Sequence, residues 1–166
     1  MTRKEGVIIK ICSFDELSLA ELYDILQLRS EVFVVEQDCV YQDIDGRDQN
    51  SMHIMMHHHE SIVAYTRVYE ERQAGTWHIG RVVVRKDWRL KGLGKKIMNQ
   101  SINFLFTKQD VELILISAQE YLLKFYSDFG FEAFGEAYLE DGIPHRAMKL
   151  DKKKPQPDNN CGNSHS

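Results

Sequence analysis

The stretch WRLKGLGKKIMNQ, residues 88–100, closely follows the valine-rich run TWHIGRVVV, residues 76–84. β-Branched residues mark the earlier run as a strand, and Gly80 within it signals a bulge or a close backbone approach. In the later stretch Gly94, Ile97, Met98, Ser101, Ile102 and Leu105 recur at steps of three and one. That spacing predicts one face of a helix beginning near Gly92. A strand that feeds a glycine turn and then a helix aims unpaired backbone N–H groups at one spot. The first helical turn has no acceptors for those groups, and its dipole favours negative charge, so the spot suits an anion. Glycines at 92 and 94 let an oxygen approach where a Cβ would obstruct it. Arg89, Lys91, Lys95 and Lys96 surround the spot with positive charge.

The pattern is R-x-x-G-x-G, from Arg89 to Gly94. The P-loop pattern is absent, and the dinucleotide fingerprint fails because position 97 is Ile. On spacing alone three readings stand: a phosphate cradle, a glycine-broken loop before a basic helix, and a nucleic-acid patch. The last is the weakest. Only Trp88 interleaves with the lysines as a stacking aromatic, and the chain carries a formal net charge of −4. No nucleic-acid partner is expected.

Working outward, GVIIKI at 6–11 reads as a first strand. Ser18 and Glu21 form a capping box that opens a helix, continued by Leu19, Leu22, Tyr23, Leu26 and Phe33. The acidic run DCVYQDIDGRDQN at 38–50 is a loop. MHIMMHH at 52–58 and SIVAYTRVYE at 61–70 are strands joined near His59 and Glu60. VELILIS at 111–117 is a buried strand. AQEYLLKFYSDFG at 118–130 is a helix stopped by glycine. FEAFGEAYLE and PHRAMKL close the chain as a strand pair around EDGIP. Strands outnumber helices and alternate with them in the middle, which predicts an α/β fold, a mixed sheet with helices on its faces. The length fits one domain at 1–150, followed by a polar tail at 151–166 that is expected to be disordered.

Several functions are disfavoured. No apolar run approaches the ~20 residues of a membrane span, so no membrane partner is expected. The first residues have too short an apolar core for a signal peptide. Cys12, Cys39 and Cys161 match no disulfide or zinc spacing, so a cytoplasmic setting is expected. His53, His57, His58 and His59 lack a carboxylate to complete a metal set, and no metal is expected. DIDGRD fails as a calcium loop because Ile54 stands where the closing glutamate belongs. Cys39 has no paired histidine to make it a nucleophile. Met52, Met55 and Met56 read as packing residues.

R-x-x-G-x-G after a valine-rich strand resembles the acetyl-CoA-binding motif of the GNAT acyltransferase superfamily. FYSDFGF, residues 125–131, is similar to the aromatic-tyrosine and glycine-phenylalanine ending of that fold. LRSEVFVVEQDCVYQDIDGRD at 28–48 and EDGIPHRAM at 140–148 resemble its ElaA-type branch. The resemblance covers roughly residues 6 to 150. It implies a mixed, mostly antiparallel sheet of about seven strands flanked by helices and splayed between the fourth and fifth strands. It also implies that Leu90, Lys91, Gly92, Leu93, Gly94 and Lys95 hold the CoA diphosphate together with Arg89. Val82, Val83 and Val84 would pair with the pantetheine arm. Gln119 stands where the family commonly has an asparagine that helps hold the cofactor, and Leu122 where a small alanine is frequent.

The implied activity is transfer of an acetyl group from acetyl-CoA, a cosubstrate, to a primary amine by direct attack in a ternary complex. The alternative is a CoA-binding sensor or interaction module with little catalysis. Tyr126 is the candidate donor beside sulfur. A free tyrosine has a pKa of about 10 and a thiol about 8.5, so full transfer to thiolate is uphill by roughly 2 kcal/mol. Glu36, His78, Glu120 and His145 are candidates for the base; Glu36 lies at the end of the first helix next to the acidic loop, and His145 follows Pro144 near the expected acceptor side. Glu36, Asp38, Asp43, Asp45 and Asp48, with Glu140 and Asp141, could form a negative rim that attracts a cationic acceptor, or simply a solvated acidic loop. The acceptor is a small-molecule or protein amine. An exposed sheet edge could pair two subunits into a homodimer.

Overall fold

The Ser18 hydroxyl accepts from the Glu21 amide at 3.0 Å, and the Glu21 carboxylate accepts from the Ser18 amide at 3.0 Å. This reciprocal cap opens α1 (Leu19–Arg29) where the sequence placed it. The helix does not stop at Arg29; Ser30–Glu36 continue it with wider, π-type turns. The computed structural model describes residues 6–152.

Seven strands form one sheet in the order β1-β2-β3-β4-β5-β7-β6. They are β1 (Ile8–Ser13), β2 (Met52–His58), β3 (Ser61–Glu70), β4 (Thr76–Val84), β5 (Leu113–Gln119), β6 (Glu132–Glu140) and β7 (Ile143–Asp151). All neighbours run antiparallel except β4 and β5. α2 (Leu93–Phe106) follows β4, and the short α3 (Leu123–Ser127) follows β5.

Alternation along the strands divides the core between the two sheet faces. Ile54, Met56, Ala64 and Ile79 meet Ile97, Met98 and Leu105 of α2 on one face. Met55, Tyr65 and Val83 meet Ile25 and Leu28 of α1 on the other. Each large side chain buried this way contributes about 1.5–3 kcal/mol. The helix face read from the glycine stretch is the buried one, with Ser101 satisfied by Thr66 Oγ1 at 2.6 Å and by the Ile97 carbonyl at 2.8 Å.

The sheet opens between β4 and β5. Their pairing is confined to Thr76↔Leu113, Trp77↔Ile114 and His78↔Leu115. Beyond His78, β4 carries one extra residue relative to β3, whose Arg67 faces Gly80 while Tyr65 faces Val83. Arg81 sits in this bulge with φ of +51°. A bulge bends its strand and increases its twist, which turns the end of β4 away from β5.

The helix expected over 118–130 is shorter than its sequence suggests. Ala118 and Gln119 remain in β5, paired with Arg146 and His145, and a tight turn at Glu120–Leu122 precedes the five residues of α3. Pairing with β7 and burial of Ala118 override the helix preference of AQEYLL. At the other end β7 takes in Asp151, and the Lys152 amide donates to the Glu112 carbonyl at 2.8 Å. Residues 153–166 of the expected tail lie outside the described residues.

Candidate functional site

The glycine turn sits at the open end of the slot. Leu90 and Gly92 both adopt positive φ, +63° and +78°, and Leu90 is fully exposed. Gly92 caps α2 in the left-handed conformation that glycine tolerates best. Among the described residues, no amide from Leu90 to Lys95 donates to a protein acceptor. The first paired amide of the helix is that of Lys96, which donates to Gly92 O at 3.1 Å. The turn thus presents six unpaired N–H groups and the positive end of a helix dipole.

The two glycines differ in role. A Cβ at Gly92 would meet nothing within 4 Å, so its demand is conformational. A Cβ at Gly94 would lie 3.7 Å from Phe125 Cζ and 3.8 Å from Val84 Cγ2, an ordinary contact. Gly94 therefore sits between α3 and the end of β4. Arg89 braces the turn: Nε donates to the Val84 carbonyl at 3.2 Å and Nη2 to Glu36 at 2.7 Å, with Nη1 on the other Glu36 oxygen. Lys91 lies over the Trp88 ring at 4.5 Å, and Lys95 is exposed.

Both slot walls follow from strand alternation. On the α2 side stand half-buried Val82 and Val84, and Val83 turns to the α1 side. Tyr126 packs edge-on against Phe125 and Phe131 in the same layer as α2, and its hydroxyl has no hydrogen-bond partner among the described residues. Burial, and then Tyr121, pushes its pKa up to about 12. Against a thiol near 8.5, outright proton transfer is uphill by about 5 kcal/mol, so Tyr126 suits hydrogen-bond donation. On the opposite face Ser117 and Gln119 line β5, with His145 across from Gln119.

The base candidates separate. Glu36 is clamped by Arg89, which holds its carboxyl below the usual range and makes it a poor proton acceptor. Glu120 lies exposed on the turn before α3. His145 has both ring nitrogens engaged: Nδ1 lies 2.7 Å from the Ile143 carbonyl and Nε2 3.3 Å from Glu140. Ser117 and Tyr138 form a close hydroxyl pair, and Ser117 Oγ also donates to Glu140 at 3.3 Å. This Ser117–Tyr138–Glu140 group had no signal in the sequence, because two strands, β5 and β6, supply it from positions 21 and 23 residues apart in the chain. His78 ends the β4–β5 pairing.

Asp43, Asp45 and Asp48 form neither the free negative rim nor the simply solvated loop that the sequence left open. Asp43 pairs with buried Arg29 at 2.9 Å and with Arg81 at 2.8 Å. Asp45 pairs with Arg67 at 2.7 Å, and Asp48 with Arg29 at 2.7 Å and Arg67 at 3.0 Å. Burial opposes ionisation of Asp45 and Asp48, but their arginine partners outweigh it and hold both carboxyls low. Within the loop itself, residues 38–50, Arg47 is the one basic residue, so these counter-charges come from outside it. Among the described residues no group of three His, Cys, Asp or Glu side chains is arranged to hold a metal. His53 instead bridges Tyr65 OH at 2.6 Å and the Asp48 carbonyl at 2.9 Å.

A family model described as an acetyltransferase (GNAT) domain matches residues 14–152. The chain belongs to the GNAT acyltransferase family. Within GNAT it is ElaA-like. A UPF0039 protein of Schizosaccharomyces pombe is 43% identical over 142 residues, 83% of this chain and 93% of that protein. Protein ElaA of Escherichia coli is 40% identical over 136 residues, 80% of this chain and 89% of ElaA. The E. coli ElaA crystal structure aligns with a TM-score of 0.83 at 36% identity, covering 88% of this chain and 100% of that one. An acyl-CoA N-acyltransferase from Pseudomonas aeruginosa aligns with a TM-score of 0.82 at 38% identity, covering 87% and 99%. GNAT enzymes draw the acyl group from acyl-CoA.

One pH dependence follows from the slot. Burial first, and then Arg67, Arg47 and Arg81, lowers the His78 pKa to about 4. The gap from the ordinary 6.5 corresponds to about 3 kcal/mol. The unfolded chain takes up this proton below pH 6.5 and the folded chain only near 4. The contribution is therefore full above 6.5 and lost as pH falls through about 4. Urea midpoints should drop between pH 7 and 4.5, and drop less in His78→Phe; equal slopes would contradict the assignment.

Proposed function

We propose that this GNAT protein transfers an acetyl group from acetyl-CoA to a primary amine by direct attack within a ternary complex. The observation that carries the reading is the run of unpaired amides from Leu90 to Lys95 at the head of a slot whose β4 wall lacks a partner on the β5 side. These features fit the two halves of a CoA molecule. The amides suit its diphosphate. The open edge at Val82–Val84 suits the peptide-like groups of its pantetheine arm, as an added strand would.

CoA supplies a thioester whose carbonyl carbon accepts the nucleophile. The amine nitrogen bonds to that carbon, the C–S bond breaks, and sulfur leaves with the electron pair. The chain's own residues hold the reactants together. Tyr126 donates a hydrogen bond to the leaving sulfur, whose charge its unpartnered hydroxyl can meet. The ammonium proton passes to water or to a base before attack, and the N–H proton shed after attack passes by water to the leaving thiolate. The proposal includes a cytoplasmic setting, where thiols such as Cys12 and Cys39 stay reduced.

The test is an amine panel in which thiol release from acetyl-CoA is followed. Tyr126→Phe should lower kcat by about tenfold, the value of one hydrogen bond, and leave CoA affinity within about twofold. CoA binding without thiol release from any amine would make the chain a CoA sensor instead. No CoA binding would end the reading.

A further inference from the structure

We propose that His78 donates a hydrogen bond from Nδ1 to the acyl carbonyl at the closed end of the β4–β5 slot, as a catalytic residue of the transfer. The proposal rests on the acyl-CoA reading above.

His78 Nδ1 is buried and has no hydrogen-bond partner among the described residues. Buried polar atoms left unpaired are rare in folded proteins and call for a reason. The ring is held flat on Tyr69, with centroids 5.0 Å apart and an interplanar angle of 22°. Its direction is fixed by Gly80: a Cβ there would lie 3.2 Å from His78 Cε1 and 3.4 Å from Nδ1. The Nδ1–Cε1 edge therefore leans along β4 toward Gly80. Gly80 is also the first position on that face beyond the last β4–β5 pair, His78↔Leu115. The unpaired nitrogen thus borders the point where the strands part, and glycine leaves room beside it.

The direction of the slot supplies the ligand atom. A CoA chain anchored at the head of α2 and laid along β4 carries its acyl end away from Val84 and toward His78. A thioester presents one polar group there, its carbonyl oxygen. The surroundings favour charge of the right sign on that oxygen. Arg67, Arg47 and Arg81, together with burial, keep the imidazole from becoming a cation. Burial, the larger cause, disfavours charge of either sign, and it is the arginine part that favours a developing oxyanion. A neutral imidazole with its proton on Nδ1 is a donor at that atom and an acceptor at Nε2.

The step balances without net transfer to the protein. As the amine nitrogen bonds to the carbonyl carbon, the C=O π electrons move onto oxygen, which His78 Nδ1–H meets. When the C=O re-forms, those electrons return, the C–S bond breaks with its pair on sulfur, and the extra proton of the amine nitrogen passes through water to that thiolate. His78 keeps its proton throughout.

The test compares CoA, which has no acyl carbonyl, with acetyl-CoA carrying ¹³C at that carbonyl. Wild type, His78→Phe and His78→Asn are titrated with each, and the labelled carbonyl stretch is read by infrared difference. His78→Phe keeps the flat ring against Tyr69 and removes the donor. It should bind CoA as wild type does, lose about three- to tenfold in affinity for acetyl-CoA, and show a higher carbonyl stretching frequency. His78→Asn, with an amide donor near the Nδ1 position, should recover part of both and stands in if the Phe variant does not fold. An unchanged carbonyl frequency and an unchanged acetyl-CoA to CoA affinity ratio in either folded variant would overturn the assignment. A wild-type chain that binds neither ligand would fail the acyl-CoA reading itself, a different result from a variant that binds both unchanged.

Discussion

Replacing Arg29 with leucine should destabilise the protein by about 3–5 kcal/mol in urea unfolding at pH 7, the range for removing one partner of a buried ion pair. Arg29 is 0% exposed. Its Nε and Nη1 donate to Asp43 and Asp48 at 2.9 and 2.7 Å, and its Nη2 donates to the Asp43 carbonyl at 2.9 Å. Leucine fills part of the volume but leaves both carboxylates short of charge compensation, with Arg81 and Arg67 as their remaining partners. The damage should be electrostatic and therefore partly reversible. Adding Asp43→Asn removes one uncompensated charge and should recover a measurable part of the loss. A loss under about 1 kcal/mol in the single variant would show that the arginine lattice does not hold this loop.

That lattice also shows where the sequence was readable. The Ser18–Glu21 cap, the buried face of α2 and the seven strands depend on neighbours within a few residues, and each was legible. The pairing of Asp43, Asp45 and Asp48 depends on Arg29, Arg67 and Arg81, which lie between 14 and 38 residues away from their partners. Spacing carries no sign of such contacts, so the loop looked acidic when its charges are matched. The π-type turns at Ser30–Glu36 were hidden for a related reason: the apolar spacing there still fits an ordinary helix. Ala118 and Gln119 illustrate tertiary pairing overriding local preference.

The candidate site divides the same way. Its glycine turn is local and was visible as R-x-x-G-x-G. The position of Arg89 against Glu36 was not, because it needs the end of the first helical segment to reach the turn after β4. The brace makes Arg89 a support for the turn, which leaves the unpaired amides as the groups proposed to face the anion. His78 was one base candidate among four by residue type. Only the strand register and the neighbouring Gly80 mark it out.

Gly92→Val should cost about a hundredfold in CoA affinity, and Gly94→Ala far less. Gly92 holds φ at +78°. A left-handed L-residue costs about 1–2 kcal/mol, and a β-branched one is a genuine outlier there. The turn relieves that strain by rotating, which swings the Leu90–Leu93 amides off their common target. A hydrogen bond to a charged group contributes about 1.5–3 kcal/mol, so misaligning one or two accounts for a loss of that size. Gly94→Ala keeps the backbone: its Cβ makes ordinary contacts at 3.7 and 3.8 Å with Phe125 and Val84. Inside α2 the alanine should stabilise the fold by up to about 1 kcal/mol. Weaker CoA binding by a more stable Gly94→Ala variant would then measure how closely the diphosphate approaches the helix. Calorimetric titration with CoA reads both variants. Wild-type affinity in Gly92→Val would mean that the amides of this turn do not hold the ligand, and the diphosphate would have to be sought elsewhere.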